Sequence, residues 1–280
     1  MEFKFSKWHG LGNDFVIVNG FTENIEDLAT AAIKVCDRHF GVGADGLVLV
    51  LPSEIADFRM RILNSDGSEA EMCGNVTRCV ARYVYESAMT DKTKLTIETQ
   101  AGLIRPELLF DNGILKTVRV DMGEPKLKPS QIPVLSEYDS SIVNSPLCID
   151  NHTFYITCVS MGNPHCVTFV DDIDTIDLPK FGPLIESNSM FPRKTNVEFV
   201  QVLDPKTLRM RVWERGAGIT LACGAGACAT LVAAAINGKA DKAATVKLDG
   251  GDLFIEWGED NHVYMSGPAT EVFCGHYQEK

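Results

Sequence analysis

Two periodicities of hydrophobic and polar positions run along this chain. Short segments in which apolar residues alternate with polar ones, or form brief runs, are typical of β-strands. In the first half they occupy residues 15–18, 47–51, 60–63, 95–99 and 117–121, and counterparts follow in the second half. Helical spacing is rarer: Val76, Cys79, Val80, Tyr83 and Val84 fall at i, i+3, i+4, i+7 and i+8. This spacing predicts one amphipathic helix.

A second helix is predicted over residues 225–236, where nearly every position is apolar. It ends at Asn237 and Gly238, a pair typical of helix C-termini. A helix that is apolar on every face must be enclosed by other structure. A shorter surface helix is predicted at about residues 25–36, and residues 124–150, rich in Pro and Ser, are interpreted as a linker followed by a strand.

The chain is an internal repeat with a constant offset of 150 residues. At that offset four separated segments align without a gap: Gly12-Asn13 with Gly162-Asn163, residues 46–50 with 196–200, Arg61 with Arg211, and Cys73 with Cys223. A constant offset predicts two copies of one β-rich unit, which meet near residues 122–125, where Gly and Pro break the pattern. The predicted fold class is therefore α+β, with two pseudo-symmetric domains that each wrap a curved, β-barrel-like sheet around a central α-helix.

Composition narrows the function classes. The chain has 280 residues, 45% of them hydrophobic, and a formal net charge of −12. An acidic surface disfavours nucleic acids and anionic membranes as partners. No apolar run approaches the ~20 residues of a membrane span, and the N-terminus has no apolar signal segment. Nine cysteines without a C-x-x-C pair favour free thiols in a cytoplasmic protein over a disulfide framework or a zinc site.

Two of those cysteines stand at equivalent places. Cys73 and Cys223 each precede a glycine at the start of a predicted helix. Unpaired N–H groups and the helix dipole favour anions there and are expected to lower a thiol pKa. If the copies pack with twofold symmetry, the two sulfur atoms face each other across a cleft. One thiolate can then remove a proton from a carbon while the opposite thiol returns one, as inversion of an amino acid requires, with helix N–H groups stabilising the carboxylate.

Six motifs that span nearly the whole chain carry a family resemblance. They are HGLGNDF at residues 9–15, NSDGSE at 64–69, MCGN at 72–75, MGNPH at 161–165, ERGAG at 214–218 and ACGAGA at 222–227. In this order they resemble the diaminopimelate epimerases, PLP-independent enzymes that interconvert LL- and meso-diaminopimelate for lysine and peptidoglycan precursor synthesis. The resemblance implies that the C-terminal tail returns to the first domain. The expected domains are residues 1–123 with 268–280, carrying Cys73, and residues 124–267, carrying Cys223.

The resemblance also implies the site. Cys73 and Cys223 would be the base and acid, with roles that swap with reaction direction. The remaining expected residues are Gly74, Asn75, Gly224 and Ala225, whose N–H groups bind the reacting carboxylate; Glu214 for the ammonium; Arg215 for the distal carboxylate; Asn13, Asn64, Asn163 and Asn196 for other substrate contacts; and His165 near the reaction centre. The expected partner is diaminopimelate, with no cofactor, metal, nucleic acid or membrane. A homodimer is also expected, although the sequence alone determines no oligomeric state.

Alternatives and departures remain. A proline or hydroxyproline racemase-like enzyme of the same fold typically has His where this chain has Asn75, and a non-catalytic binding protein of that fold would lack one cysteine. A redox or zinc protein would be recognised by a metal assay. Three positions depart from the family pattern: Val76 stands where Gly is usual, Gly46 where some members have Gln, and Ala225 where Ser or Thr is common.

Overall fold

The computed structural model describes residues 1–136 and 140–279. The chain divides into two compact units. Unit 1 comprises Met1–Asp121 together with the segment that begins at Gly267, and unit 2 is Met122–Ser266. Both units are rich in strands and have few helices, which confirms the predicted α+β class.

The elements of unit 1 follow one another in chain order. They are β1 (Glu2–Gly10), β2 (Asn13–Asn19), α1 (Leu28–Cys36), β3 (Gly46–Leu51), β4 (Phe58–Asn64), β5 (Glu69–Ala70), α2 (Gly74–Glu86), β6 (Ile97–Thr99), β7 (Gly102–Ile104), β8 (Glu107–Asp111) and β9 (Ile114–Asp121). Unit 2 contains β10 (Ser145–Ile149), β11 (His152–Ser160), β12 (Pro164–Phe169), α3 (Leu178–Glu186), β13 (Asn196–Asp204), β14 (Thr207–Glu214), β15 (Gly218–Thr220), α4 (Gly224–Ile236), β16 (Ala243–Leu248), β17 (Gly251–Trp257) and β18 (Val263–Gly267). The last strand, β19 (Thr270–Gln278), belongs to unit 1.

Each unit contains one twisted sheet. In unit 1 the strand order is β19-β1-β2-β3-β4-β6-β7, with β5 beside β4, and β8 and β9 form a hairpin. In unit 2 the order is β10-β11-β12-β13-β14-β16-β17-β18, with β15 beside β14. Two pairs in each sheet are parallel, β2–β3 and β4–β6 in unit 1, and β12–β13 and β14–β16 in unit 2. The two sheets are therefore built by the same sequence of pairings.

The pairing register confirms the internal repeat. Phe15 pairs with Gly46 in unit 1, and His165 pairs with Asn196 in unit 2, each 150 residues further on. The next pair repeats in the same way, Leu47 with Leu63 and Val197 with Trp213. The helices α2 and α4 also begin 150 residues apart. Behind the helices the offset falls to 149, because Ile97 pairs with Ile104 where Val246 pairs with Leu253.

Two helices lie against opposite faces of each sheet. In unit 2, Cys166, Val197 and Phe199 form one core with Phe181 and Ile185 of α3. Since side chains of a strand alternate between faces, His165 and Glu198 lie on the other face, toward α4, which contacts β12 and β13. Helix α4 is buried along most of its length, as its apolar sequence predicts, and it ends before Gly238, whose φ is +66°.

Three local predictions need correction. Helix α1 begins at Leu28 rather than near residue 25, because Asp27 caps it by accepting a hydrogen bond from the Thr30 N–H at 3.1 Å. One face of this helix is buried in the core of unit 1. Strand β6 begins at Ile97 rather than Leu95. Helix α3 was not predicted, since two prolines interrupt its sequence, although it lies 150 residues beyond α1.

Candidate active site

The first cysteine, Cys73, is the N-cap residue of α2. The first intrahelical hydrogen bond runs from the Thr77 N–H to the Cys73 carbonyl at 3.0 Å. The N–H groups of Gly74 and Asn75 precede this bond, so they belong to the unpaired first turn of the helix. The half-buried sulfur therefore stands beside donors that can bind a carboxylate.

Asn13 joins this helix start to the β1–β2 turn. Its Oδ1 accepts from the Asn75 Nδ2 at 3.1 Å and lies 3.8 Å from the Cys73 sulfur. Its Nδ2 donates to Asp45 at 2.7 Å. Because Asp45 can only accept when ionised, this contact fixes the amide so that its oxygen faces Cys73.

Arg78 supports the same group from inside the unit. Its side chain is 0% exposed, its Nη2 donates to the Asn75 Oδ1 at 2.9 Å, and its Nε donates to the Pro268 carbonyl at 3.1 Å. Asn75 is thereby held at both ends of its amide. The returning C-terminal segment is connected to Cys73 through this chain of contacts.

Asn64 lies outside the group formed by Asn13, Cys73 and Asn75. It ends β4 on the surface of unit 1, and its Nδ2 donates to the Ser68 hydroxyl at 2.9 Å. The structure therefore does not connect Asn64 to the other expected residues by a hydrogen bond within the described part of unit 1.

Cys223 repeats the arrangement of Cys73 at the start of α4. Its sulfur accepts from the Gly226 N–H at 3.4 Å, and the Ala227 N–H donates to its carbonyl at 2.9 Å. The N–H groups of Gly224 and Ala225 precede that first helical bond. Unlike Cys73, Cys223 is buried, with 6% of its surface exposed.

The charge around Cys223 corrects an expectation drawn from the sequence. A helix start alone would lower the thiol pKa, but the pKa of Cys223 lies well above its ordinary value. Burial is the main cause, and the carboxylates of Glu214 and Glu198 act in the same direction because both disfavour a nearby thiolate. In the unliganded state Cys223 is therefore a thiol, which is the acid form.

Glu214 is positioned at the end of β14. Its carboxylate accepts a hydrogen bond from the Thr220 hydroxyl and is also a hydrogen-bond partner of the Cys223 thiol. The side chain is half-buried. A carboxylate in this place can hold a cationic group next to Cys223.

His165 is the centre of a second polar group in unit 2. The imidazole is 0% exposed; its Nδ1 lies 2.6 Å from the Glu198 Oε1, and its Nε2 lies 2.8 Å from the Asn163 Oδ1. Both ring nitrogens thus face oxygen atoms. Asn163 and His165 are brought together as the repeat predicts, and Glu198 is an unexpected third member.

Asn196 acts on the backbone around these residues. It is buried, its Oδ1 accepts from the Arg215 N–H at 2.9 Å, and its Nδ2 donates to the Pro164 carbonyl at 2.8 Å. The exposed Arg215 side chain donates from Nη1 to the Arg193 carbonyl at 3.1 Å. Asn196 therefore holds the two turns that carry Asn163 and Arg215.

These features agree with comparisons to known proteins. A sequence model of the family described as diaminopimelate epimerase matches residues 5–128 and 157–272. The chain belongs to the diaminopimelate epimerase family. A diaminopimelate epimerase of Pelotomaculum thermopropionicum is 57% identical over 275 residues, covering 98% of both chains. One from Methanococcus maripaludis is 55% identical over 273 residues, covering 97% of this chain and 98% of that protein. The family resemblance seen in the sequence is thus confirmed.

Solved structures agree on the fold. A phenazine biosynthesis protein of the PhzF family from Bacillus anthracis superposes with a TM-score of 0.71 at 18% identity, covering 100% of both chains. A hydroxyproline epimerase from Agrobacterium vitis superposes with a TM-score of 0.65 at 13% identity, covering 98% of this chain and 92% of that one. At these identities the likeness establishes the shared fold alone.

The structure gives physical reasons for two departures from the diaminopimelate epimerase pattern. A Cβ at Gly46 would lie 2.9 Å from the Leu63 carbonyl oxygen, so any larger residue there requires the backbone to shift. Val76 is fully buried, and its equivalent in unit 2 is Gly226, where a Cβ would lie 2.8 Å from the Glu198 Oε1. Glycine at this helix start is therefore required only in the unit that carries Glu198.

Sequence analysis missed Asp45, Arg78 and Glu198 as members of the site. The signal for Glu198 is a charged residue inside an apolar strand segment, at the position where the first copy has Val48. Within the described part of the chain, no group of three or more His, Cys, Asp and Glu side chains is arranged to hold a metal ion. Of the helices in residues 1–136 and 140–279, none combines the length and apolarity that a bilayer-spanning segment needs.

Proposed function

We propose that this protein is an isomerase that interconverts LL- and meso-2,6-diaminopimelate without PLP, another cofactor or a metal. The observation that carries the proposal is the pair Cys73 and Cys223, which cap equivalent helices of the two units in a chain of this family. The proposed place of the reaction is the synthesis of lysine and peptidoglycan precursors in the cytoplasm, and the proposed assembly is a homodimer. We also propose that residues 1–123 with 268–280, and residues 124–267, are the two epimerase halves.

In the proposed mechanism one cysteine removes the α-proton and the other delivers a proton to the opposite face of the same carbon. Negative charge develops on the reacting carboxylate as the α-proton leaves. The N–H groups of Gly74, Asn75, Gly224 and Ala225 stabilise that charge because they are preorganised donors at helix N-termini. Reversal of the reaction exchanges the roles of the two cysteines.

The carboxylates around Cys223 give the substrate a part in tuning its thiol. Glu214 and Glu198 raise the pKa of Cys223 before substrate binds. The ammonium group of the substrate, held by Glu214, offsets this negative charge and lowers the thiol pKa. Cys223 thus starts as the acid, and it becomes competent as a base when the ammonium is in place.

The remaining expected residues recognise the rest of the substrate. Arg215 binds the distal carboxylate through its guanidinium fork. Asn13, Asn64 and Asn163 supply amide donors and acceptors, and Asn196 acts by holding the turns of Asn163 and Arg215. His165 takes part through its Nε2, which lies beside Asn163.

The test is incubation with LL-diaminopimelate in deuterium oxide, without PLP and with a chelator present. The expected result is formation of the meso isomer with deuterium at the α-carbon. Proline and lysine serve as parallel substrates. Exchange of proline in preference to diaminopimelate would support the racemase alternative, and absence of exchange with every substrate would support a binding protein.

Sedimentation of the purified protein tests the proposed homodimer. The expected sedimentation mass is twice the chain mass of 30.7 kDa. A species at the mass of one chain across the concentration range in which the protein is active would contradict the dimer.

A further inference from the structure

The two copies differ in chemistry at three equivalent positions next to the central helix. Unit 1 has Phe15, Val48 and Val76, whereas the residues 150 positions further on are His165, Glu198 and Gly226. The strand positions lie on corresponding faces of corresponding strands, because the sheet registers repeat. One copy therefore packs three apolar residues where the other holds an ionisable pair and a glycine.

The pair is completely enclosed. His165 and Glu198 have side chains that are 0% exposed, and the His165 Nδ1 lies 2.6 Å from the Glu198 Oε1. Within the described residues, no hydrogen-bond partner reaches the Glu198 Oε2. Glycine at position 226 makes the room, since a Cβ there would lie 2.8 Å from the Glu198 Oε1 and 3.2 Å from the Cys223 sulfur.

Such a pair is expensive in a fold that does not need it. Moving a carboxylate out of water costs several kcal/mol, and apolar residues of similar volume are often at least as stabilising as a buried pair. Unit 1 shows that this fold forms with apolar residues at the same positions. Stability alone therefore gives no reason for Glu198, and its reason lies in what it does to His165 and Cys223.

We propose that Glu198 is a positioning residue for epimerisation, which holds a proton on the His165 Nδ1 and thereby directs the His165 Nε2 toward the substrate side of Asn163. This inference rests on the proposed function. An ionised Glu198 can only accept from Nδ1, so it fixes both the orientation of the ring and the nitrogen that carries the proton. Its negative charge also stabilises a second proton on Nε2, where Asn163 offers an oxygen acceptor.

The groups that act electrostatically on Glu198 come from three elements. His165 on β12 lowers the Glu198 pKa, Glu214 on β14 raises it, and burial raises it most. Cys223 at the start of α4 feels the Glu198 charge in turn, as does Cys166 on the opposite face of the sheet. Glu198 thus connects the protonation of His165 to that of Cys223.

The test separates charge, hydrogen bond and packing. E198Q keeps an acceptor for Nδ1 but removes the charge, and E198V removes both. H165F/E198V restores the apolar pair that unit 1 already contains. T168V is the control, because Thr168 lies on the same strand and its buried hydroxyl has no partner within the described residues.

The first readout is independent of activity. Nitrogen-15 NMR of histidine-labelled protein, with the His165 signals assigned by comparison with H165F/E198V, reports which ring nitrogens are protonated. The expected result is a change in the His165 ring signals in E198Q and E198V and none in T168V. Unchanged His165 signals in a folded E198Q protein would overturn the proposal, whether or not the protein epimerises diaminopimelate.

The second readout is the split between kcat and KM. We expect kcat to fall at least about tenfold in E198Q and further in E198V, while KM changes by less than about threefold. H165F/E198V should be at least as resistant to heat as E198V and should have no more activity. Wild-type kcat in folded E198Q and E198V proteins would overturn the proposal. Absence of epimerisation in the wild-type protein would instead reject the proposed function and leave the NMR readout to decide on Glu198.

Discussion

At the scale of single residues, the chemistry of this protein depends on two cysteines whose surroundings differ. Cys73 is half-buried beside the amides of Asn13 and Asn75. Cys223 is buried beside two carboxylates. The same position in the repeated unit therefore holds a sulfur atom in an amide environment in one copy and in an acidic environment in the other.

Replacement of either cysteine by alanine should abolish epimerisation without unfolding the protein. C73A and C223A each remove a small side chain, so the cavity cost is small, while loss of the acid or base should lower kcat by at least about 10³-fold. Epimerisation is measured by α-deuterium incorporation, and folding by circular dichroism. C148A, which changes an exposed cysteine of unit 2, is the control. Near-normal turnover in either active-site variant would contradict the two-cysteine mechanism.

The thiol of Cys223 should titrate at a lower pH when Glu214 loses its charge. Glu214 raises the pKa of Cys223, so E214Q should shift the pH dependence of Cys223 alkylation toward lower pH, because a thiolate no longer faces that carboxylate. Mass spectrometry of iodoacetamide-treated protein measures this. E259Q, at a carboxylate with a 95% exposed side chain, should leave the profile unchanged. An unchanged profile in E214Q would show that burial alone controls the thiol.

Substrate length should be recognised at Arg215. Because a lysine cannot form the two parallel hydrogen bonds that a guanidinium offers to a carboxylate, R215K should lower kcat/KM for diaminopimelate more than tenfold, or about 1.4 kcal/mol of transition-state stabilisation. R193K, at a neighbouring residue that contributes only its carbonyl to this contact, is the control. Equal α-proton exchange of lysine and diaminopimelate by the wild-type protein would contradict the role of the distal carboxylate.

At the scale of elements, the starts of α2 and α4 show how one backbone plan accepts two chemistries. Val76 fills its place in unit 1, whereas Gly226 leaves room for Glu198 in unit 2. The sequence repeat predicted both helix starts, because apolar spacing and glycines are local signals. It did not predict the contact between Gly226 and Glu198, since that contact joins residues on different elements.

A methyl group at Gly226 should therefore disturb the site, whereas removal of side-chain atoms at Val76 should not. G226A places a Cβ within 2.8 Å of the Glu198 Oε1 and 3.2 Å of the Cys223 sulfur, so Glu198 and Cys223 must move. We expect kcat to fall at least about tenfold in G226A. The matched variant V76A should lose stability, by roughly 1–3 kcal/mol of unfolding free energy, with a smaller change in kcat. Activity assays and urea unfolding measure both, and the reverse order of effects on kcat would contradict this account.

At the scale of the whole molecule, unit 1 is completed by the end of the chain. Strand β19 pairs with β1 along most of its length. Just before it, Pro268 and Ala269 accept hydrogen bonds from Arg78 and Arg82 of α2. The C-terminal segment therefore stabilises the same helix whose first turn carries Cys73.

Removal of the segment that begins at Gly267 should destabilise unit 1 more than unit 2. Without it the edge of β1 is exposed and the buried Arg78 loses the Pro268 carbonyl, a loss that costs about 1–3 kcal/mol for a group left unsatisfied. We expect a lower Tm and faster hydrogen exchange in residues 1–121, together with loss of activity. A variant that ends at Glu279 is the control. Unchanged exchange in unit 1 would show that β19 is dispensable for it.

The sequence by itself determined the α+β class, the repeat and the two helix-start cysteines, because hydrophobic period, glycine position and a constant offset are properties of neighbouring residues. The family motifs added the expected site residues on the same local basis. Only the tertiary structure decided that burial and two carboxylates raise the pKa of Cys223, that Asn196 holds backbone turns, and that Arg78 and Glu198 support the site. These features depend on which side chains distant elements bring together and on how much water they exclude, and no local pattern of residues encodes either quantity.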